Sequence, residues 1–356
     1  MKPTHFVRAA LLLPIFLSLA CTSTPPTLNN DTNPPKKPIA ATGTLGTIDR
    51  LDPALDALLA KDAGVEILAN GADWAEGPVW SKAGNYLAFS DVKQNTAWKW
   101  SPTDGLGVLL KPSGYTGTTP RGGEPGSNGL TRDSQGRLVL CEHGDRRVAR
   151  LETDGKTKTT LADSYQGKHF NSPNDLTYDS KGNLYFTDPP YGLEGKLEDP
   201  KKELPFQGVY RLSADGKLSL LTKDLKFPNG IAFSPDEKTL YVAVSDPEKP
   251  IVYAYDVKED GSIANPRTFF DATELVAKKL KGLPDGIKID IKGNMWLGGP
   301  GGLLILSPTG KHLGTLATGV ATANCAWGDD GSTLYITADS YICRIKTLTK
   351  GKIPGN

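Results

Sequence analysis

The sequence predicts an all-β protein, a six-bladed β-propeller, and three observations lead to this fold class. Short β-branched and aromatic runs recur along the chain, separated by Asp-Gly and related turn pairs. Six similar strand openings recur 39 to 56 residues apart, and repeats of about 40–50 residues with several short strands are typical of propeller blades. The 39 Gly and 27 Pro in 356 residues exceed average usage, which favours a chain rich in turns.

Residues 1–20 have the pattern of a signal peptide. Lys2 and Arg8 precede an apolar run over 9–20 that is too short to span a bilayer. The run ends in Leu-Ala-Cys, which is similar to a bacterial lipobox with Cys21 as the lipidated residue, and ordinary secretion is the alternative. We therefore expect an exported protein of the cell envelope, held by a lipid anchor that faces the periplasm, on the outer membrane if the cell is Gram-negative.

The mature chain is divided into a tether, a propeller and a short tail. Residues 22–48 are rich in Thr, Pro and Asn and have few large apolar groups, so a disordered tether is predicted there. The propeller is expected over 49–350 and the tail over 351–356. Asp52 followed by Pro53 predicts a short capped helix at the start of the propeller.

The sixth repeat is incomplete, and this indicates how the ring closes. Its strand pattern ends near Ile345, so one more strand is needed to complete the last blade. The run at 65–68, ahead of the first blade, is the natural candidate. Both ends of the chain would then share one blade.

Polar residues occupy the equivalent position at all six strand openings. They are Glu76, Asn128, Asn174, Asn229, Asp285 and Asn324. The first strand of each propeller blade lines the central channel, so these side chains should form a ring around the axis. Facing carboxylates and amides call for a cation, and their oxygen atoms suit Ca²⁺ first and Mg²⁺ or Mn²⁺ next. At any single position, an Asn that only caps or turns the strand is the alternative.

Seven motifs then follow one another in a fixed order along the chain. They are WAEGPVW at 74–80, SNGL at 127–130, CEHG at 141–144, SPNDL at 172–176, TDPPYG at 187–192, FPNG at 227–230 and PDG at 284–286. Together they resemble the gluconolactonase / senescence marker protein (regucalcin) family, over roughly residues 50–347. The resemblance implies a six-bladed propeller with a divalent metal on its axis, Ca²⁺ first, with Mg²⁺, Mn²⁺ or Zn²⁺ as alternatives.

The resemblance also implies roles for the ring residues. Glu76, Asn229 and Asp285 match the metal ligands of the family, and Asn174 lies at the metal or at its water and substrate. A bound cation would polarise a lactone carbonyl, and a carboxylate beside it would take the proton of the attacking water. Asp285 is expected to be both ligand and general base, and Asn174 is counted with the catalytic residues.

Five further residues are candidates for catalysis or substrate binding. His143 is expected to bind substrate or shuttle a proton, and a loop histidine bonded to the backbone is the alternative. Asn128, Asp188, His169 and Asn324 are the candidate substrate-binding residues. Asp188 precedes two prolines, so anchoring of a turn is an equal alternative for it.

Two features have open structural interpretations. Cys325 and Cys343 belong to one blade and either pair in an oxidising compartment or remain buried thiols, as Cys141 would. The insertion over 189–208 is either a lid on one end of the channel or a charged solvated loop.

The expected function is metal-dependent hydrolysis of a sugar lactone similar to glucono-1,5-lactone. The alternatives are hydrolysis of another lactone, ester or phosphotriester on the same metal, and a binding propeller in which the metal only stabilises the hub. The partner is a small-molecule lactone. The net charge of +1 argues against nucleic acid, membrane contact is expected only through the lipid anchor, and a monomer is expected.

Overall fold

The computed structural model describes Met1 and residues 37–355 of the chain. The predicted signal peptide beyond Met1, the lipidation site Cys21 and residues 22–36 of the tether lie outside the described residues. Within the described part, no helix is both long and apolar enough to cross a membrane.

The strands of residues 37–355 form six sheets of four or five strands and one two-stranded ribbon, which confirms the predicted six-bladed propeller. Before the first blade lie β1 (Ile39–Ala40), β2 (Thr47–Arg50), a 3₁₀ helix (Pro53–Ala57) and β3 (Glu66–Asn70). Blade 1 consists of β4 (Ala75–Ser81), β5 (Tyr86–Asp91), β6 (Thr96–Ser101) and β7 (Gly105–Leu110). Blade 2 consists of β8 (Ser127–Arg132), β9 (Leu138–Glu142), β10 (Arg147–Leu151) and β11 (Lys158–Ala162).

The remaining blades repeat this plan. A ribbon of β12 (Ser164–Tyr165) and β13 (Lys168–His169) precedes blade 3. Blade 3 consists of β14 (Leu176–Tyr178), β15 (Leu184–Asp188), β16 (Gly208–Leu212) and β17 (Leu218–Thr222). A 3₁₀ helix (Lys196–Glu198) lies in its insertion. Blade 4 consists of β18 (Pro228–Phe233), β19 (Thr239–Val244), β20 (Ile251–Val257) and β21 (Ile263–Asp271), followed by α1 (Thr273–Ala277). Blade 5 consists of β22 (Ile287–Ile289), β23 (Met295–Gly299), β24 (Gly302–Leu306) and β25 (His312–Ala317). Blade 6 consists of β26 (Thr322–Gly328), β27 (Thr333–Ala338) and β28 (Tyr341–Lys346).

The ring is closed by a strand from before the first blade, as the sequence predicts. β3 pairs antiparallel with β28, so that Ile67 lies opposite Cys343. The predicted helix is also present as a 3₁₀ helix, and the Asp52 carboxylate accepts a hydrogen bond from Ala54 N at 2.8 Å. Because the two chain ends share one sheet, unfolding of either end must open the last blade.

Both flanking segments are more ordered than the sequence suggests. β1 pairs with β3 and β2 pairs with β25, so residues 39–40 and 47–48 of the predicted tether belong to the outer edges of two blades. Free backbone groups at a sheet edge favour such pairing even where the side chains are small. The predicted tail is also packed, because Gly351 forms a bridge with Asp290 and Ile353 is buried in the core.

Aromatic residues pack where the first and last blades meet. The rings of Trp80 and Tyr335 stack with centroids 5.0 Å apart, and next to them Trp296 of blade 5 meets Trp327 of blade 6 edge to face. Cys325 lies on β26 and Cys343 on β28, with β27 between them, and the cysteines in the described part of the chain are buried and free. Of the two interpretations, the buried thiols therefore agree with the structure.

The innermost strands are irregular at the ring positions. In blades 1, 2, 4 and 6 the pairing with the second strand shifts at or next to the ring residue. In blades 3 and 5 the first strand begins two residues after Asn174 and Asp285. Such bulges re-aim a side chain out of the strand ladder. The irregularity places these side chains at the channel.

Candidate functional site

A cavity of about 330 Å³ lies at the end of the channel where the innermost strands begin. Five of the six ring residues line it: Glu76, Asn128, Asn174, Asn229 and Asp285. The rest of the wall comes from loops and strand ends and consists of Trp74, Glu124, Tyr191, Ser245, Gly282, Leu283, Ala321 and Thr322. The volume and the mixture of polar and apolar groups suit a small ligand such as one sugar ring.

Two ring carboxylates face this cavity without a counter-charge. Burial raises the pKa of Glu76 to about 8, and the charge of Asp175 adds to the effect while the N–H of Gly77 opposes it. Burial and the charges of Glu76 and Asp175 raise the pKa of Asp285 well above its ordinary value. In the described part of the chain, Asp285 Oδ1 is buried with no hydrogen-bond partner. A bound cation would compensate the negative charge of these two buried carboxylates.

A hydrogen-bond chain fixes the orientation of the Asn229 amide. Ser245 Oγ donates to the carbonyl oxygen of Pro284 at 2.6 Å. A hydroxyl has one proton to donate, so Ser245 can only accept from Asn229, whose Nδ2 lies 2.9 Å away. The amide nitrogen of Asn229 is thereby engaged, and the amide oxygen is the atom available to a cation.

His143 lies between Asn174 and Glu124. Asn174 Nδ2 lies 3.5 Å from His143 Nε2, and His143 Nδ1 lies 3.3 Å from a carboxylate oxygen of Glu124. A neutral imidazole with its proton on Nδ1 can accept from the amide at Nε2. His143 is fully buried behind the ring. The structure therefore places His143 next to Asn174 but not in the cavity wall.

Asn128 and Asn324 differ in position although they are equivalent in sequence. Asn128 lines the cavity, whereas Asn324 lies beneath it, with Nδ2 3.5 Å from both Glu76 and Asp175. Asn324 Oδ1 accepts from Lys288 Nζ at 3.1 Å. Both ends of the Asn324 amide are thus engaged by protein groups, so the predicted substrate contact of Asn324 disagrees with the structure.

The glycines that follow the ring residues have a packing role. A Cβ on Gly77 would lie 2.0 Å from the carbonyl oxygen of Asn128, and a Cβ on Gly230 would lie 2.1 Å from that of Asp285. In blades 1 and 4, the innermost backbone therefore packs directly against the ring residue of the next blade. This explains the Asn-Gly and Asp-Gly pairs better than the alternative of a simple strand cap.

Asp188, like Asn324, lies outside the cavity wall. Asp188 is buried and accepts hydrogen bonds from the N–H groups of Asn171 and Ser172, at 2.8 and 2.7 Å. It anchors the opening loop of its own blade, as Asp91 does in blade 1 through Asp73 and Trp74. The turn-anchoring alternative is therefore the one that agrees with the structure.

The predicted substrate contact of His169 also disagrees with the structure. It is exposed on the short ribbon, where its backbone N–H donates to Glu203 at 2.9 Å. Among the described residues, the ribbon has no counterpart in the other blades, so the repeats could not predict where His169 lies.

The donor set at the cavity fits a hard divalent cation. Glu76, Asn174, Asn229 and Asp285 offer side-chain oxygen atoms in the wall of one cavity, and two of these residues are amides whose nitrogens are engaged elsewhere. No group of three or more His, Cys, Asp or Glu side chains in the described residues is placed to hold a metal ion. Binding would therefore depend on the amide oxygens as well as the carboxylates.

Several wall residues were not identified from the sequence. Glu124 lies in a Gly- and Pro-rich loop without periodicity, so no local signal marked it. Ser245 lies just after β19, and Tyr191 lies in the insertion of blade 3, outside the regular strands. Tyr191 does stack on Phe227, with centroids 5.7 Å apart, and it also lines the cavity. Asp175 follows a ring residue and supplies a third buried carboxylate.

Comparisons with known proteins give a consistent result. The family model described as the SMP-30/Gluconolactonase/LRE-like region matches residues 74–340. A gluconolactonase of Zymomonas mobilis subsp. mobilis is 41% identical over 314 residues, covering 86% of this chain and 88% of that protein. Regucalcin of Bos taurus is 26% identical over 277 residues, covering 76% of this chain and 85% of that protein.

A solved structure agrees with these sequence matches. A gluconolactonase of Xanthomonas campestris superposes with a TM-score of 0.74 and 32% identity, covering 89% of this chain and 99% of that one. The similarity therefore extends over the whole propeller, including the strands that carry the ring.

Proposed function

The chain belongs to the SMP-30/gluconolactonase/LRE-like family and is a lactone hydrolase, and from this premise we propose that it hydrolyses a sugar lactone of the glucono-1,5-lactone type with the help of a divalent cation. The observation that carries the proposal is the ring itself, where Glu76 and Asp285 meet oriented amides at the floor of a sugar-sized cavity. We propose Glu76, Asn174, Asn229 and Asp285 as the ligands. Ca²⁺ is the first candidate, because all the donors are oxygen atoms.

When bound at these residues, the cation would supply charge stabilisation at the lactone carbonyl and would make the attacking water more acidic. Asp285 is then the general base, since its buried carboxylate oxygen has no hydrogen-bond partner among the described residues and is available to a proton. Glu76 is held by Gly77 N at 2.9 Å and acts mainly as a ligand. Asn128 in the wall is the proposed hydrogen-bonding partner of the substrate hydroxyls.

His143 is proposed to act through Asn174. Its Nε2 approaches the Asn174 amide nitrogen, which turns the amide oxygen toward the ring. Because His143 is fully buried, a direct proton transfer to substrate is less well supported than this orienting role. Trp74 and Tyr191 offer flat faces on which a sugar ring can pack.

The proposal is tested by lactonase assays on the chain from residue 37 onward, before and after chelation. We expect hydrolysis of glucono-1,5-lactone, loss of at least about 100-fold in rate on chelation, and recovery with one or more of Ca²⁺, Mg²⁺, Mn²⁺ or Zn²⁺. A panel of other lactones and an aryl ester serves as the comparison. Equal rates with and without chelator would contradict the role of the cation.

We further propose that the protein is exported and anchored by a lipid at Cys21. The support is the sequence pattern of residues 1–21, with its basic start, short apolar run and small residue before Cys21. In cell fractionation, the wild-type protein is expected in the membrane pellet, and Cys21→Ala is expected in the soluble fraction or retained as uncleaved precursor. A wild-type protein found only in the soluble fraction would contradict the anchor.

A further inference from the structure

We propose that Glu124 restricts the enzyme to uncharged sugar lactones and excludes lactones that carry a phosphate, sulfonate or carboxylate group; this inference rests on the proposed lactonase function. The starting observation is the charge of the cavity wall. Among the described residues that line it, Glu76, Glu124 and Asp285 are carboxylates, and none is Lys or Arg. An anionic substrate would find no cationic side chain here to pair with.

Cationic side chains around the cavity are engaged with protein groups. Lys93 Nζ lies 5.9 Å from the ring centroid of the wall residue Trp74, in a cation–π contact. Arg121 donates to the carbonyl oxygen of Gly144 at 3.1 Å and also to that of Gly192, so it ties loops together behind the cavity. Lys288 donates to Asn324 and lines a separate small cavity at the other end of the channel. Neither Arg121 nor Lys288 could reach an anionic group of a substrate without breaking these contacts.

Glu124 differs from the ring carboxylates in what surrounds it. It comes from the loop between β7 and β8, on the wall rather than on the ring, and its side chain is about a quarter exposed. A divalent cation would neutralise the two carboxylates of Glu76 and Asp285. The carboxylate of Glu124 would remain as a net negative charge facing the substrate.

The loop that carries Glu124 is held at defined points. Asn95 Oδ1 accepts hydrogen bonds from three successive N–H groups at 113–115, at 2.8 to 3.1 Å. At its other end, Gly126 N donates to the carbonyl oxygen of Val92 at 2.8 Å. Glu124 therefore cannot swing away from an anionic group at low cost, as a side chain on a free loop could.

The field of Glu124 reaches across the cavity. Burial raises the pKa of Tyr191, and the charges of Asp285 and Glu124 raise it further. Like charges that face each other in a partly buried site weaken binding strongly, because the effective dielectric constant there is well below that of water. The same carboxylate suits an uncharged sugar, since the contact with His143 is made by one oxygen and leaves the other to accept from substrate hydroxyls.

The test compares glucono-1,5-lactone with its 6-phosphate in the cation-loaded protein. For the wild type we expect kcat/KM for the neutral lactone to exceed that for the phosphorylated one by about 100-fold or more. In Glu124→Gln this ratio of the two kcat/KM values should decrease by at least about 10-fold, mainly because KM for the phosphorylated lactone is lower. Turnover of the neutral lactone should fall modestly. The matched control is Glu194→Gln, because Glu194 lies near Arg121 on the insertion, outside the cavity wall, and should leave the ratio unchanged.

A binding measurement separates this inference from the proposed function. Calorimetry with gluconolactam and its 6-phosphate, which are not turned over as lactones are, should show the same preference for the neutral compound and the same relaxation in Glu124→Gln. If neither lactone is hydrolysed with any added cation, the proposed function fails, and the lactam comparison alone decides on Glu124. A ratio that is near one in the wild type, or unchanged in Glu124→Gln, overturns the inference.

Discussion

Asp285→Asn is expected to lose lactone turnover by about 1,000-fold while the propeller stays folded. The substitution keeps the shape of the side chain but removes the only carboxylate of the described ring whose buried oxygen has no protein partner. Without cation, the variant should be at least as stable as the wild type, because the repulsion between Asp285 and Glu76 is removed. Steady-state kinetics and thermal unfolding measure the two effects.

The matched control is the same substitution at Asp188. Asp188 is also a buried carboxylate, but its oxygens accept from Asn171 and Ser172 and it lies outside the cavity wall. Asp188→Asn should therefore lower the unfolding temperature and retain the turnover of the folded protein. Wild-type turnover by Asp285→Asn, or a loss of turnover of equal size at Asp188, would contradict the assignment of the base.

Removal of the cation is expected to make stability fall with rising pH. The pKa of Glu76 in the folded protein is raised from 4.5 to about 8, so the protonated form is favoured by folding. The resulting stabilisation is fully present below about pH 4.5 and is lost as the pH rises through 8. With a chelator present, the free energy of unfolding should therefore fall by a few kcal/mol between pH 5 and 8.

Added Ca²⁺ should abolish most of this fall, because it stabilises the ionised carboxylates and binds only the folded ring. Asp91 and Asp188, with pKa values raised by burial to about 6 and about 7, contribute in the same direction with or without the cation. The difference between the two curves, measured by chemical denaturation, isolates the ring. Glu76→Gln should reduce that difference, and a constant offset from pH 5 to 8 would contradict a cation site at these carboxylates.

Much of the fold could be predicted from the repeats, because each repeat corresponds to one blade of the propeller. Six equivalent strand openings predict six blades, and an incomplete sixth repeat predicts that β3 completes the last sheet, which the pairing of β3 with β28 confirms. Residues 39–40 and 47–48 were assigned to a tether because composition indicates how much apolar surface a segment can bury, and says little about whether it can pair with a sheet edge.

The candidate site divides in the same way. The register of the repeats placed six polar residues around the axis, because equivalent positions of a closed ring must surround it, and five of the six line the cavity. The choice of Glu76, Asn229 and Asp285 as ligands came from the family resemblance. The reasoning from register failed for Asn324, which lies beneath the cavity between Glu76 and Lys288. Equivalent backbone positions do not ensure equivalent depths, since each bulge sets its own side-chain direction.

By itself, the sequence determined that this protein is a closed propeller with carboxylates and amides on its axis, because periodic strands and turns encode register without reference to distant contacts. Only the tertiary structure decided which groups form the wall. Glu124 comes from an aperiodic loop, and the Asn229 amide is oriented by Ser245. Asp188 is hydrogen-bonded within its own blade. Each of these depends on hydrogen bonds between segments far apart in the chain, and a hydrogen bond has a direction and a single donor that no spacing of residues can specify.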